Sequence, residues 1–299
     1  MPELPEVETV VRLIRPGLEG RTIRGAQVLW KRTLGGLAPS RFAERVIGAR
    51  VVRVWRRAKF VVADLERDGG RAGALLGHLR MTGRMHVEPA GWDAGPYERL
   101  RLELDNRRCF HFIDVRKFGR LTWVADAERA LAGLGPEPLG DAFSAAWLAG
   151  ALRARRGRLK PLLLDQTFVA GLGNIYVDEA LHRSGLHPLR AARSVRSAEA
   201  ERLHEEIRAT LTAAIARNGS SFDTFYRTPE GQPGEYQAEF RVYARDGQPC
   251  STCATEIERI VVGQRGTHYC PRCQPRRPAA QARSPRLPLR RPRASSKRS

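Results

Sequence analysis

Four of the five cysteines fall as Cys250-x2-Cys253-x16-Cys270-x2-Cys273. Each pair lets two thiolates on one tight turn reach the same ion, and two such pairs at this spacing suit one tetrahedral zinc. Two disulfides are the competing reading, and the start of the chain lacks a basic stretch followed by an apolar core that would signal secretion. Zinc is therefore favoured, and Cys109, inside the apolar run CFHFI, reads as a buried free thiol. At the other end, Pro2 directly follows Met1. Removing Met1 exposes a secondary amine, and an N-terminal amine, with a reference pKa of about 7.7–8.0, is partly neutral near physiological pH. A neutral amine can attack a sugar C1′ and form a Schiff base. Glu3 lies beside it as a candidate general acid or base, whereas Glu6 and Glu8 on a helix should diverge. Gly171-x-Gly173-Asn174 stands directly before a helical pattern, where backbone N–H groups suit a phosphate. No Lys-Ser/Thr pair follows those glycines, so ATP binding is rejected in favour of a nucleic-acid phosphate. Between the cysteine pairs, Gln264-Arg265-Gly266 marks a hairpin tip from which Arg265 can fork onto a phosphate, or simply sit on the surface.

These groups need a scaffold. Val7, Val10, Val11, Ile14 and Leu18 recur at helical spacing from about Glu6 to Leu18, with Pro16 and Gly17 ending that helix. From about Thr22 to Val124 short β-rich runs alternate with turns such as Asp68-Gly69 and Asp105-Asn106, which predicts a β-sandwich. Gly133 to Phe143 is a Gly/Pro-rich linker, and helical patterns follow from about Asp141 to Asn218. The expected units are residues 1–132, a helical domain 133–236 with a polar loop from Ser220 to Gln237, a zinc finger 237–274, and a basic tail 275–299 too rich in Pro and Arg to build a core. The net charge is +20 over 299 residues, and setting aside the nine cations of that tail leaves +11 on the body. A polyanionic partner is expected. No run of about 18 apolar residues could span a membrane, and no amphipathic basic helix with a broad apolar face stands out. A cytoplasmic location is the resulting expectation.

The motifs PELPEVE, RRAKF (Arg56 to Phe60), HLRMTG, DVRKFG (Asp114 to Gly119), LGPEPL, DQTFVAGLGNIYVDEAL and the terminal ribbon with GQR stand in one order. Together they resemble the formamidopyrimidine-DNA glycosylase family, the bacterial 8-oxoguanine repair enzymes, over roughly Met1 to Gln274. The resemblance implies an α+β multidomain fold: an N-terminal β-sandwich with its helix, then a helix–two-turns–helix domain carrying a zinc-ribbon finger. It implies a monomeric bifunctional glycosylase and abasic-site lyase acting on duplex DNA with oxidised purines, and one structural Zn2+.

By the same resemblance Pro2 is the nucleophile and Glu3 the acid that assists sugar ring opening. Lys59 contacts the phosphate beside the lesion, Asn174 and Arg265 pinch the phosphates around the flipped nucleotide, and Arg155 is a further DNA contact. Met81, Arg116 and Phe118 match the residues that fill the hole left by the flipped base. Taken alone, Met81 and Phe118 read as core packing, and Lys59 as a snorkelling strand lysine. The sequence departs from the family in three places: Tyr97 stands where many relatives have a DNA-contacting His, Arg80 replaces the usual Gly before Met81, and the loop from Ser220 is about one residue longer. Two rivals remain: an endonuclease VIII-type enzyme for oxidised pyrimidines, whose start reads PEGPE, and a non-catalytic zinc-ribbon DNA-binding protein.

Overall fold

The computed structural model describes residues 1–221, 228 and 231–276. The tail beyond residue 276 and residues 222–227 and 229–230 of the loop from Ser220 lie outside the described residues.

The first helix, α1 (Leu4–Leu18), buries Val7, Val10, Val11, Ile14 and Leu18 as their spacing requires. It begins two residues before the expected start. Glu3 is the N-cap, Pro5 is within the first turn, and the Glu6 side chain accepts the Glu3 N–H at 2.8 Å. It ends at Leu18 as expected, with Pro16-Gly17 inside its last turn and Glu19 N–H donating to the Arg15 carbonyl. So close to the C-terminus, Pro16 forfeits little of the hydrogen-bond ladder. Gly17 also serves packing: a Cβ there would lie 2.9 Å from Val87.

After β1 (Ile23–Val28) and α2 (Pro39–Val46) come β2 (Arg50–Arg57), β3 (Phe60–Arg67), β4 (Gly70–His78) and β5 (Gly83–Pro89). Next are β6 (Glu98–Leu104), β7 (Arg108–Asp114), β8 (Arg120–Val124) and α3 (Ala127–Leu131). The strands form two antiparallel sheets, ordered β2-β3-β4-β8 and β1-β6-β7-β5. The Asp68-Gly69 turn joins β3 to β4 with φ of 51° and 76°, the left-handed pair that two-residue hairpins favour. Between the sheets Val54, Val61, Leu65, Leu75, Leu100, Phe110 and Phe112 pack with the apolar face of α1. Cys109 is buried, as expected.

The linker is pinned rather than loose. Glu137 takes Arg56 Nη1 at 2.7 Å, Arg57 Nη1 at 2.8 Å and the Ala58 amide at 2.6 Å. The helical domain comprises α4 (Ala145–Arg153), α5 (Leu159–Leu164), α6 (Asn174–Arg183) and α7 (Ser197–Ala216) around a second core. Leu4 belongs to this second core, although the rest of the α1 apolar face serves the first. One helix therefore ties the two domains together.

Between α6 and α7, Arg190 clamps the two turns by a bidentate pair to Glu199 at 2.8 and 2.7 Å. Burial alone pushes the Glu199 carboxyl up, but hydrogen bonds from Arg190 and Arg196 bring it down to about 2 from an ordinary 4.5. The folded state thus holds this proton more weakly than the unfolded chain. The clamp's contribution is present above pH 4.5 and fades as pH falls toward 2. Glu199→Gln should lower the unfolding midpoint near neutrality and flatten the loss of stability across that window. Acid titrations that superimpose for the two proteins would remove the assignment.

Candidate DNA-processing site

The N-terminus is seated in the helical domain. Leu4 N–H donates to the Gly171 carbonyl at 3.1 Å, and the Glu3 carboxylate accepts the Ile175 and Tyr176 amides at 3.1 and 3.5 Å. These amides open α6, where the sequence pattern predicts a bound phosphate. The chain's own Glu3 carboxyl occupies that place. The glycines make room for it: a Cβ on Gly173 would stand 2.2 Å from the Glu3 carboxyl carbon, and one on Gly171, at φ +84°, 2.6 Å from Leu4. Glu6 does not diverge either. It is buried and accepts from the Tyr176 hydroxyl and, at 2.8 Å, from the Ser220 amide.

Above Glu3 opens a cavity of about 330 Å3. It gathers Glu3, Lys59, Met81, Asn174 and Arg265 of the expected residues, together with Met1, His78, Arg80 and Tyr243. Pro2 is buried and does not itself line the cavity, but its chain neighbours Met1 and Glu3 both do. Burial pushes the Glu3 carboxyl above its ordinary value, with Lys59 opposing. Burial likewise pushes the Lys59 ammonium down, against the carboxylates of Glu3 and Glu6. A carboxyl held up and an amine held down can exchange protons nearer to neutral pH than either could in water. His78 is brought down to about 3 by burial and by the charges of Arg80 and Lys59, so its ring is neutral. Its Nδ1 accepts the Arg80 amide at 3.0 Å. The HLRMTG run contains His78, but nothing in its spacing marks it as more than a strand residue.

Asn174 is the first residue of α6 and not its cap. Its Nδ2 donates to the Gly266 carbonyl at 2.9 Å, as does Lys160 Nζ at 3.1 Å. The zinc-finger hairpin, β9 (Glu258–Val262) and β10 (Arg265–Tyr269), turns at Gly263-Gln264 with φ of 55° and 61°. Arg265 therefore opens β10 rather than occupying the turn, and its exposed side chain faces the cavity.

The remaining expected residues do not line the cavity. Arg116 and Phe118 lie in the loop between β7 and β8, with the Arg116 guanidinium carbon 4.9 Å from the Phe118 ring centre. Phe118 is 49% exposed, which rules out core packing, and Met81 is only half-buried. The Asp114 carboxylate fixes this loop by accepting the Arg116 amide at 3.2 Å, the Gly119 amide at 2.7 Å and the Thr82 hydroxyl. Thr82 Oγ1 in turn accepts the Arg116 amide at 3.1 Å, so the Met81 turn and the loop form one unit. Tyr97 is exposed next to Arg99, and Arg155 is exposed between α4 and α5.

The four ligand sulfurs Cys250, Cys253, Cys270 and Cys273 lie within 4.8 Å of one another. Zn–S bonds of about 2.3 Å in a tetrahedron require sulfurs about 3.8 Å apart. The pairs Cys250–Cys273 and Cys253–Cys270 stand at 3.9 and 3.5 Å, which fits zinc and excludes a disulfide. The four cysteines form a site for one structural zinc.

An N-terminus held in a cationic cavity between a β-sandwich and a zinc-bearing helical domain defines a two-domain enzyme of the DNA glycosylase class. The model described as the formamidopyrimidine-DNA glycosylase N-terminal domain matches residues 1–121, its H2TH domain residues 134–226, and a zinc finger found in FPG and IleRS residues 247–276. Formamidopyrimidine-DNA glycosylases of Geobacillus kaustophilus and Chloroflexus aggregans are 45% and 48% identical over 279 residues each, covering 92% of this chain and 100% and 98% of theirs. The MutM (FPG) structure from Thermus thermophilus superposes with a TM-score of 0.80 at 41% identity, covering 91% of this chain and 98% of that one. A Lactococcus lactis FPG mutant in complex with Fapy-dG containing DNA gives 0.83 at 33%, covering 92% and 100%. The chain belongs to the formamidopyrimidine-DNA glycosylase family.

Two outcomes follow from this geometry. Chelating the zinc should free the hairpin and Arg265, lowering duplex affinity by about tenfold or more while most helical circular dichroism persists. Unchanged affinity after verified metal loss would separate the hairpin from the DNA surface. Thr82→Val should cost about 1–2 kcal/mol of stability, the range for a lost buried hydrogen bond. Thr82→Ser should restore it, and equal stability of all three proteins would deny the Thr82–Asp114 link any weight.

Proposed function

We propose that this protein excises oxidised purines from duplex DNA and cleaves the resulting abasic site through the nitrogen of Pro2. The observation that carries the reading is that Met1 and Glu3, the two chain neighbours of Pro2, line the cavity where Lys59, Asn174 and Arg265 converge. With Met1 removed, the neutral secondary amine attacks C1′ of the flipped nucleotide. The C1′–N bond to the purine breaks, and the base leaves with a proton. Glu3 delivers a proton to the sugar ring oxygen as the C1′–O bond opens, leaving an iminium on Pro2. That positive charge makes a C2′ proton acidic. Its loss expels the 3′ phosphate, and a second elimination expels the 5′ phosphate.

Lys59, Asn174 and Arg265 supply cationic and amide donors for those phosphates, as leaving groups that carry charge require. Met81, Arg116 and Phe118 fill the vacated stack, and an exposed aromatic beside an exposed guanidinium suits a wedge that also reads the orphaned base. Tyr97 and Arg155 add contacts further along the backbone. The solved Lactococcus lactis relative bound to Fapy-dG containing DNA supports an oxidised purine as substrate. One chain carries every residue the scheme uses, so a monomer suffices. The substrate places its work on the bacterial nucleoid.

Borohydride reduction on a duplex with 8-oxoguanine opposite cytosine should give a covalent adduct that mass spectrometry maps to Pro2. Pro2→Gly should lose most base release and trapping while retaining duplex affinity within about threefold, because phosphate contacts dominate binding. Base release at the normal rate in that variant would remove Pro2 from the mechanism. A preference for oxidised pyrimidine duplexes over 8-oxoguanine would redirect the substrate.

A further inference from the structure

We propose that a second groove, lined by Lys31, Arg32, Gly35, Gly36 and Arg120, holds the backbone of the undamaged DNA strand. The groove measures about 640 Å3, and no acidic side chain lines it. Lys31 and Arg32 are exposed and make no ion pair among the described residues. Arg120 spends one guanidinium nitrogen on two backbone carbonyls, those of Phe118 and Gly119, at 3.1 and 2.9 Å. Cations left without carboxylates cost little on a surface that meets a polyanion, and they raise its association rate.

Two glycines, Gly35 and Gly36, leave part of the lining without side chains, beside Leu37, Ala38 and Pro39. Gly36 stands at φ +112°, a conformation that favours glycine, and a Cβ there would meet nothing within 4 Å. A phosphate can therefore approach the main chain closely at this point.

The groove is continuous with the wedge loop. Arg120 holds the carbonyls of Phe118 and Gly119, and Lys117 Nζ sits 4.3 Å from the ring centre of Trp30, the residue before Lys31. The opposite flank of the same loop is bonded through Thr82 to the Met81 turn, which lines the cavity of Glu3 and Lys59. A loop inserted in place of a flipped base has the damaged strand on its cavity flank. The complementary strand then passes on the other flank, where these cations stand. The inference rests on the glycosylase reading of that cavity and extends it to the second strand.

The test compares the wild type with a Lys31→Ala, Arg32→Ala double variant and a Lys31→Gln, Arg32→Gln control for folding. The probe is a duplex holding a tetrahydrofuran abasic analogue. With two fewer phosphates neutralised, the slope of log affinity against log salt should fall by about 1.8, and affinity at 0.15 M salt by about tenfold. Methylphosphonates placed singly along the undamaged strand opposite the lesion should weaken the wild type and leave both variants unaffected. An unchanged salt slope in both variants overturns the proposal. So does a reduced slope with sensitivity to the methylphosphonates retained, since the removed charge would then act elsewhere. Wild-type adduct formation on an abasic duplex, run alongside, tests the parent reading separately: its failure condemns the chemistry, whereas its success with an unchanged slope condemns only the groove.

Discussion

A buried carboxylate at the third residue governs this molecule. Glu3 is 3% exposed and can be kept in the interior only because the α6 amides, the Lys59 ammonium and a cleared space all converge on it. Gly171 and Gly173 clear that space. Gly219, at φ +76°, does the same for Glu6, whose side chain a Cβ there would approach to 2.6 Å. Glu6 in turn caps α1 through the Glu3 amide. The N-terminal residues are thus held from both domains, and Leu4 packs into the core of the helical one. An N-terminal amine tethered this way loses the freedom of an ordinary chain end.

Helix α6 transmits this arrangement to the zinc finger. Asn174, Asp178 and His182 recur every four residues, so they share one face. Asn174 bonds the Gly266 carbonyl, Asp178 the His268 amide at 2.9 Å, and His182 Nε2 approaches Cys250 Sγ at 3.4 Å. Glu179 adds the amides of Arg241, Val242 and Tyr243. Asp178 also holds Lys160, which is wholly buried, at 2.6 Å. Breaking such a pair from one side typically costs about 3–5 kcal/mol, because a charge is stranded. This expense is reasonable where a hairpin must hold Arg265 against a cavity built from other elements. The metal folds the hairpin, and the buried polar contacts of α6 aim it.

Periodicity and spacing make much of this legible. The apolar face of α1, the alternating strands, the turn at Asp68-Gly69 and the cysteine ribbon depend on local rules, and each stands where its pattern places it. Long-range polar contacts are not legible. Nothing around Glu137 announces that its carboxylate will pin the linker to Arg56, Arg57 and the Ala58 amide, since its partners are some 80 residues away. The Gly171-x-Gly173-Asn174 turn reads as a phosphate site because glycines before a helix have two uses. The sequence cannot distinguish exposing amides to a ligand from admitting another part of the chain.

Backbone conformation adds a layer that glycine counting misses. Ala58, Arg80, Lys117 and Gln264 all adopt left-handed φ, at 52°, 54°, 62° and 61°. Each immediately precedes a residue proposed above for the DNA surface: Lys59, Met81, Phe118 and Arg265. A non-glycine residue in this region costs about 1 kcal/mol or more, and such strain persists only where surrounding structure imposes it. A left-handed residue reverses the chain sharply, and each of these four stands at such a reversal. The strain also works on charge. Arg80 brings its guanidinium to the cavity that holds Lys59 and His78, and its field helps to keep the His78 ring neutral.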